Sequence, residues 1–280
     1  MTQSSDARID PTFWKGRRVL LTGHTGFKGA WAALVLSQLG AEVHAFSLPP
    51  EEPPLFTAAR IAELCASSQI ADLRDAARTR ACVEAARPQV VLHFAAQSLV
   101  RRAHRDPVET YASNVMGAVH LLEALRGVAA LETVLVTTTD KVYYNAESGI
   151  PFREGDRLGG LEAYGASKAA AEHVIAAYRS SYFAPRGVSV LVARAGNVIG
   201  GGDWSEDRIL PDIVRASLSD HVLDVRNPGA VRPWQHVLEA LEGYLLLVER
   251  MGRVVATAQE DPERFAWNFG PQAAAEMISV

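Results

Sequence analysis

Two side chains at helical spacing are suited to proton transfer. The stretch "AYGASKAAAEH" holds Tyr164 and Lys168, which lie four residues apart and so on one face of a helix. A tyrosine with a pKa of about 10 is a poor base near neutral pH. A lysine one turn away, together with an oxidised nicotinamide, would lower that pKa. Because any helix can carry this spacing by chance, the pair gains meaning only beside other features of the chain.

An acid and a base follow the end of an apolar run. The stretch "VLVTTTDKVYYN" (134–145) begins like a buried strand and passes through Thr139 directly into Asp140 and Lys141. Charges at this position contribute little to packing, so we interpret them as an acid and a base for chemistry. The alternative is an ion pair at the surface end of a strand.

Three glycines separate the first predicted strand from the first predicted helix. The stretch "LLTGHTGFKGAW" supplies Gly23, Gly26 and Gly29. Glycines here let the chain turn tightly and let its backbone approach a pyrophosphate at a helix N-terminus. The spacing is GxxGxxG, not GxGxxG, so a glycine turn that serves packing alone stays open. Its position after the first strand of an α/β pattern favours a dinucleotide.

The adenosine end of that site lacks its usual acid. The acid expected about 20 residues after the glycines, to bind a ribose 2′-hydroxyl, is missing from the end of the second strand. The second strand ends at 46–48, and no arginine lies beside it to bind a 2′-phosphate. NAD is therefore favoured over NADP. Asp72 follows a short apolar stretch and is a candidate acceptor for the adenine amino group, or equally a helix N-cap.

These residues need a sheet that brings them to one edge. Near-continuous apolar strands alternate with helical segments, which is typical of a parallel sheet covered on both faces. We predict a doubly wound, Rossmann-type α/β fold, because such sheets bind ligands at the carboxyl ends of their strands. The predicted strands span 17–23, 41–48, 89–96, 132–139 and 188–196, and the predicted helices span 28–40, 75–88, 106–126 and 164–183.

The regular alternation ends near residue 197. Glycine, proline and tryptophan then accompany two further helical stretches. We predict a NAD-binding domain over 1–196 that carries the candidate catalytic residues. A smaller substrate-binding lobe is predicted over 197–280, interleaved with that domain and not a continuation of its sheet.

Composition limits the classes of partner. The 280 residues carry a net charge of −4, which gives no reason to expect nucleic acid or an anionic membrane. No apolar run approaches the length of a transmembrane helix, and the polar start has no signal-peptide core. Cys65 and Cys82 form no CxxC pattern, and the eight histidines show no ligand spacing. We expect a reduced, cytoplasmic protein with no metal site.

Taken together, several stretches resemble the extended short-chain dehydrogenase/reductase family, and within it the CDP-glucose 4,6-dehydratase branch. Related dTDP-glucose dehydratases carry Asp-Glu where this chain has Asp140 and Lys141. The resemblance covers nearly the whole chain. It rests on "GHTGFKGAW" (23–31), "HFAAQSLVRRAHRDPVETYASNVMG" (93–117), "VTTTDKVYYN" (136–145), "AYGASKAAAEH" (163–173), "ARAGNVIGGGDWSEDRILPD" (193–212) and "VRNPGAVRPWQHVLE" (225–239).

The resemblance implies a lyase that removes water from a nucleotide sugar, CDP-glucose, in deoxysugar biosynthesis. Tyr164, supported by Lys168, would take the proton of the 4-hydroxyl while hydride passes to NAD, and Thr139 would hold the 4-oxygen. Asp140 would be the acid for the 6-hydroxyl and Lys141 the base for C5. Burial would have to keep Asp140 protonated and Lys141 neutral.

The same resemblance implies a set of binding residues. His93 is a candidate near the nicotinamide ribose or simply a core histidine. The implied cofactor contacts are Gly23, Thr25, Gly26, Phe27, Lys28, Gly29, Asp72, Leu73, Phe94, Ala95, Ala96, Gln97, Asn114, Thr137, Tyr164 and Lys168.

Arginine and tryptophan in the C-terminal loops suit a diphosphate and a flat pyrimidine or sugar, although both can also brace a lobe. Arg208 and Arg232 are the first candidates for the phosphates. The implied substrate contacts are Gln97, Arg194, Asn197, Asp203, Trp204, Arg208, Arg226, Arg232 and His236.

Three functions remain open at this point. A nucleotide-sugar 4,6-dehydratase uses every candidate residue, whereas a 4-epimerase on the same scaffold would not need the Asp140–Lys141 pair. An NAD-binding homologue without turnover would need no proton-transfer residues at all. Relatives extend past this chain's last residue, so we expect the second lobe to be truncated at its C-terminus. We also expect a homodimer that pairs through the helices at 106–126 and 164–183.

Overall fold

A parallel sheet of seven strands forms the centre of the protein. The computed structural model describes residues 8–51, 54–219, 222–223, 225, 227–252, 254, 262–271 and 277–279. The sheet has the strand order β3-β2-β1-β4-β5-β6-β9, and a second sheet has the order β10-β8-β7. The strands are β1 (Arg18–Thr22), β2 (Glu42–Ser47), β3 (Ser67–Ile70), β4 (Val90–His93), β5 (Thr133–Thr139), β6 (Ser189–Ala195), β7 (Asn197–Ile199), β8 (Val231–His236), β9 (Ala266–Phe269) and β10 (Met277–Ser279).

Helices connect these strands. Short π-helical segments, Ala112–Met116 and Arg179–Phe183, continue the helices before them. The α-helices are α1 (Pro11–Trp14), α2 (Phe27–Gln38), α3 (Leu55–Ala58), α4 (Ile61–Leu64), α5 (Ala76–Ala86), α6 (Val100–Arg105), α7 (Pro107–Tyr111), α8 (Gly117–Leu125), α9 (Ala163–Tyr178), α10 (Ile209–Leu218) and α11 (Val237–Met251).

Both faces of the central sheet are covered, as the apolar strands predict. Every residue of β4, β5 and β6 is buried. Leu36 of α2 and Tyr244 of α11 belong to the hydrophobic cluster on one face, and Leu121 of α8 and Ile175 of α9 belong to the cluster on the other. The predicted Rossmann-type doubly wound fold is therefore confirmed.

The C-terminal part of the chain returns to this sheet. β9 pairs in parallel with β6, with Ala193 opposite Trp267, and becomes the seventh strand. Residues of α11 also pack in the core against β6 and β5. The expectation that residues after 197 leave the sheet is therefore wrong for these two elements, because their apolar residues fill the open edge and one face. The division at 196/197 stays a prediction.

Two further details differ from the sequence expectations. The predicted helix at 106–126 is divided into α7, a π-helical turn and α8. The strand β3 and the helix α6 (100–105) were not predicted, because neither has a clear apolar period. Within the described residues, no helix combines the length and apolarity needed to span a membrane.

Candidate active site

A cleft of about 1150 Å³ opens at the carboxyl ends of β1, β4 and β5. We call two parts of its lining the strand half and the loop half. The strand half comprises residues 23–29, 94–97 and 137–139 with Tyr164 and Lys168. The loop half comprises the lining residues between 195 and 208. Parallel strands end together at this edge, which is why distant parts of the sequence meet there.

The glycine loop is shaped by close backbone packing. Gly23 has a φ of +83°, and a Cβ on it would lie 2.7 Å from the backbone nitrogen of Ala95. A Cβ on Gly29 would lie 2.1 Å from the carbonyl oxygen of Gly23. Gly26 begins α2 as its N-cap without a side-chain cap. The loop therefore leaves backbone N–H groups free at a helix N-terminus, which fits a pyrophosphate.

Tyr164 and Lys168 lie in the first turns of α9. The carboxylate of Glu162 caps this helix and accepts hydrogen bonds from the backbone of Tyr164 (2.7 Å) and Gly165 (2.6 Å). Both predicted side chains are buried and line the cleft. The Lys168 ammonium donates to the carbonyl oxygen of Thr137 at 3.0 Å. This hydrogen bond joins α9 directly to the C-terminal end of β5.

Burial dominates the electrostatics of this pair. It raises the pKa of Tyr164 to about 12, against the hydrogen bond with Thr139 and the charge of Arg208, both of which lower it. Burial also lowers the pKa of Lys168 to about 8, and the charge of Glu172 opposes that shift. Without a bound cationic ring, Tyr164 is therefore a neutral phenol. The expected lowering of its pKa has to come from the cofactor.

Asp140 and Lys141 form a short 3₁₀ turn after β5. Their side chains are 34% and 41% exposed, and their charged atoms lie 3.4 Å apart. The Thr139 hydroxyl donates to the Asp140 carboxylate at 3.0 Å. Neither side chain lines the cleft, although Asp140 is near enough to affect the pKa of Tyr164. The protein alone does not supply the burial that the proposed acid and base need.

A different lysine has the surroundings predicted for a neutral amine. Lys28 lines the cleft at the start of α2, and its ammonium lies 3.5 Å from the hydroxyl of Tyr244. Desolvation lowers the pKa of Lys28 to about 7, and the positive charges of Arg208 and Lys168 add to the shift. Tyr244 was missed in the sequence, because an aromatic residue inside an amphipathic helix gives no functional signal.

Most predicted cofactor residues meet in the cleft. Asp72 lines it and forms an ion pair with Arg74 at 2.6 Å, whereas the N-cap of α5 is Asp75, so the N-cap alternative for Asp72 is wrong. The lining residues from the predicted set are Gly23, Thr25, Gly26, Phe27, Lys28, Gly29, Asp72, Leu73, Phe94, Ala95, Ala96, Gln97, Thr137, Tyr164 and Lys168.

Asn114 and His93 do not line the cleft and are buried behind it. The buried amide of Asn114 donates to the carbonyl oxygen of Gln97 (3.0 Å) and accepts from its N–H (2.8 Å), which fixes the backbone there. The imidazole of His93 is buried and hydrogen-bonded to Thr22 at 2.7 Å. Glu51, four residues after β2, also lines the cleft. Sequence analysis missed this carboxylate because an acid was expected at the end of β2, and Glu51 lies in the proline-rich loop beyond it.

The predicted substrate residues divide into two groups. Gln97, Asp203, Trp204 and Arg208 line the cleft, and Arg208 bonds to Asp203 at 3.1 Å. Arg194 is instead buried in an ion pair with a glutamate of α9, so its predicted contact with sugar and phosphate is not available in this arrangement.

The remaining predicted substrate residues lie outside the lining. Asn197 is in β7, Arg232 is half-buried on β8, and His236 caps α11. Arg226 lies outside the described residues.

Two ion pairs missed by sequence analysis hold the loop half in place. Arg101 contacts Asp207 at 2.7 Å, and Arg105 contacts Glu206 at 2.6 Å. Both arginines belong to α6, whose Arg102 lines the cleft, although Arg101 and Arg105 themselves do not. The run "RRAHR" showed only a basic segment, and its partners lie about 100 residues further along the chain.

Comparison with known proteins places this geometry in a family. The model of the NAD dependent epimerase/dehydratase family matches residues 19–257. A CDP-glucose 4,6-dehydratase of Salmonella typhimurium is 44% identical over 270 residues, covering 94% of this chain and 74% of that protein.

Solved structures agree with this assignment. The structure of MoeE5 in complex with UDP-glucose and NAD has a TM-score of 0.74 at 25% identity, covering 94% of this chain and 78% of that one. A dTDP-glucose 4,6-dehydratase from Bacillus anthracis in complex with NAD has the same fold, with a TM-score of 0.72 at 20% identity over 92% of this chain and 76% of that one. The chain therefore belongs to the NAD dependent epimerase/dehydratase family.

Proposed function

We propose that this protein is a hydro-lyase that converts CDP-glucose to CDP-4-keto-6-deoxyglucose with NAD. The observation that carries the proposal is the 44% identity to a CDP-glucose 4,6-dehydratase across 94% of the chain. The cleft supports it, because Thr139, Tyr164 and Lys168 lie together beyond a glycine loop suited to a dinucleotide. Neither a pure binding protein nor a structural protein needs that combination.

The residues of the strand half support oxidation at C4. NAD, when bound, supplies a hydride acceptor and later a hydride donor. Tyr164 would accept the proton of the 4-hydroxyl, since it is the buried phenol that shares a hydrogen bond with Thr139. Lys168, fixed on Thr137, would stabilise the phenolate that forms.

The Asp140–Lys141 turn would serve the removal of water. Asp140 would protonate the leaving 6-hydroxyl and Lys141 would remove the C5 proton. Both groups are partly exposed in the protein alone, so the sugar itself would have to cover them and exclude water. Arg208, which lines the loop half beside Asp203, would bind the diphosphate.

A panel of nucleotide-glucoses tests this proposal. The protein is incubated with NAD and CDP-, dTDP-, UDP- or GDP-glucose, and the products are analysed by mass spectrometry. We expect loss of one water from CDP-glucose without net reduction of NAD. A product of unchanged mass whose proton NMR spectrum shows inverted C4 would instead indicate an epimerase. Recovery of unchanged substrate with all four nucleotide-glucoses would contradict the proposed activity.

We also propose that the protein forms a homodimer through α7, α8 and α9. Val108 is 78% exposed on α7, and Tyr111 on α7 and Met116 in the π-helical turn before α8 are also exposed. Exposed apolar surface on paired helices is typical of an interface. Light scattering after size exclusion measures the mass, and Val108→Glu with Met116→Glu is expected to yield monomers. A monomeric wild-type protein would contradict this proposal. The cytoplasmic location stays a prediction.

A further inference from the structure

A buried ion pair lies directly behind the Asp140–Lys141 turn. Glu172 of α9 and Arg194 of β6 are both buried, and their charged groups are 2.5 Å apart. A second contact joins the Arg194 Nε to the same carboxylate at 3.0 Å. Buried ion pairs often contribute little net stability, because desolvation offsets the attraction. Their better-attested role is to specify one arrangement of the groups around them.

Each end of the turn is hydrogen-bonded to one member of this pair. Thr138, just before the turn, donates its hydroxyl to Glu172 at 2.6 Å. Tyr143, just after it, accepts from Arg194 at 2.7 Å. The turn that carries the candidate acid and base is thus flanked by Thr138 and Tyr143, and each of these is hydrogen-bonded to one member of the buried ion pair.

The same pair is connected to the Tyr164–Lys168 helix. Glu172 lies one turn beyond Lys168 on α9, so Tyr164, Lys168 and Glu172 share one face. Lys168 bonds to the carbonyl of Thr137, and Glu172 bonds to Thr138, so helix and strand are joined at two successive residues.

The network continues into the loop and the sheet edge beyond the turn. The Tyr143 hydroxyl donates to Asn268 of β9 at 2.7 Å, and its ring stacks on Phe152 with centroids 4.7 Å apart. Arg194 also donates to the carbonyl oxygen of Glu154 at 2.9 Å. The chain after the turn is therefore fixed from several directions.

We propose that Glu172 and Arg194, acting through Thr138 and Tyr143, are positioning residues that hold the Asp140–Lys141 turn against the Tyr164–Lys168 helix. Their effect falls on the removal of water. Oxidation at C4 uses Thr139, Tyr164 and Lys168, which are also held by β5 and α9 themselves. The proposal rests on the proposed dehydratase function for its kinetic reading, and it has a structural reading that does not need turnover.

The first experiment uses Tyr143→Phe, which removes one hydroxyl and keeps the stacked ring. Tyr144→Phe is the matched control, since Tyr144 is the exposed neighbour in the same loop and none of the described residues bonds to its hydroxyl. In rapid mixing with CDP-glucose, oxidation and water loss are followed by reduced-nicotinamide absorbance and by product mass. We expect Tyr143→Phe to slow water loss about 10–100-fold, while oxidation changes less than about threefold, so reduced nicotinamide accumulates. Equal slowing of both steps, or none, overturns the proposal.

The second experiment approaches the turn from its other end. Thr138→Val removes the hydroxyl that Glu172 accepts, and Thr138→Ser keeps it. We expect the valine variant to repeat the selective slowing and the serine variant to restore the native ratio of the two rates. A serine variant as slow as the valine variant would overturn the proposal, because serine keeps the hydroxyl and loss of the hydrogen bond could not then explain the slowing.

Hydrogen exchange measures the positioning without turnover. In the NAD-loaded protein, Tyr143→Phe is expected to speed amide exchange about tenfold in a peptide spanning 140–144, and to leave 133–137 unchanged. If the wild-type protein converts no nucleotide-glucose, the proposed function fails, and this exchange measurement still decides the positioning. Unchanged exchange in 140–144 overturns the proposal.

Discussion

The two halves of the cleft are built from different kinds of backbone. In the strand half, Tyr164 and Lys168 are buried and joined to β5 by hydrogen bonds. In the loop half, Asp203 and Arg208 lie in irregular chain that is held to α6 by arginine–carboxylate pairs at partly exposed positions. Side chains on regular elements are placed more precisely than side chains on loops. The strand half is suited to proton transfer, and the loop half to adaptable binding.

Tyr164→Phe tests the strand half most severely. It removes the only atom of this side chain that can accept a proton, so we expect the rate of C4 oxidation to fall about 10³–10⁴-fold with NAD binding retained. Single-turnover reduction of NAD by CDP-glucose measures the rate. Tyr178→Phe, at the far end of the same helix, is the control. Oxidation within tenfold of the native rate in Tyr164→Phe would assign the base elsewhere.

Asp140→Asn tests the turn that directly follows β5, next to the strand half. The amide keeps the shape of the carboxyl group but cannot deliver a proton, so water loss is expected to slow about 100-fold. NAD binding, measured by calorimetry, should not change. Glu147→Gln, an exposed carboxylate in the following loop, controls for charge. Water loss at the wild-type rate in Asp140→Asn would mean that another group is the acid.

Arg208 and Arg232 compare a lining arginine with one outside the cleft. Losing a charge-assisted hydrogen bond to a phosphate costs about 1.5–3 kcal/mol. We therefore expect Arg208→Ala to raise KM for the nucleotide sugar about 10–100-fold with a smaller change in kcat. Arg232→Ala is expected to have a clearly weaker effect, because the structure places it on β8 outside the lining. Steady-state kinetics decide the order, and a reversed order would show that substrate binding rearranges the loop half.

Two buried histidines, His93 behind the lining and His24 in the glycine loop, also predict a pH dependence of stability. Burial lowers the pKa of His93 to about 3 and that of His24 to about 4. Below an unfolded-state pKa of about 6.5, the unfolded chain binds protons that the folded protein excludes. Stability is therefore lost as the pH falls from about 6.5 towards about 4.

Urea unfolding at several pH values measures this slope. Each buried imidazole contributes about 1.4 kcal/mol per pH unit within that window. His93→Gln is expected to flatten the curve by about that amount, and His104→Gln, an exposed change on α6, to leave it alone. If unfolding free energy has the same pH dependence in the wild-type protein, His93→Gln and His104→Gln, then His93 is protonated in the folded state.

The same contrast explains what sequence could predict. Tyr164, Lys168 and the glycine loop lie on elements with a clear apolar period, so their meeting at one sheet edge follows from the parallel topology. Asp203, Trp204 and Arg208 were named through resemblance, because loops have no period from which a position can be calculated.

The errors have physical causes as well. Arg194 was expected at the substrate because the resemblance places it there after the sixth strand, but nothing in its own segment reveals Glu172 on α9. The exposure of Asp140 and Lys141 depends on how a three-residue turn is oriented, which local sequence does not encode. The insertion of β9 beside β6 depends on contacts between residues far apart in the chain. Such contacts become visible only once the chain is folded.

The hydrogen bond from Tyr143 to Asn268 spans 125 residues of sequence. During synthesis, the strands that carry the glycine loop and the Tyr164 helix leave the ribosome well before β9 does. A nascent chain can therefore assemble its nucleotide-binding edge early, while the anchor beyond the Asp140–Lys141 turn waits for β9, the last strand of the central sheet. The part of the site proposed for sugar oxidation would then form before the part proposed for water loss, in the order in which the chain is synthesised.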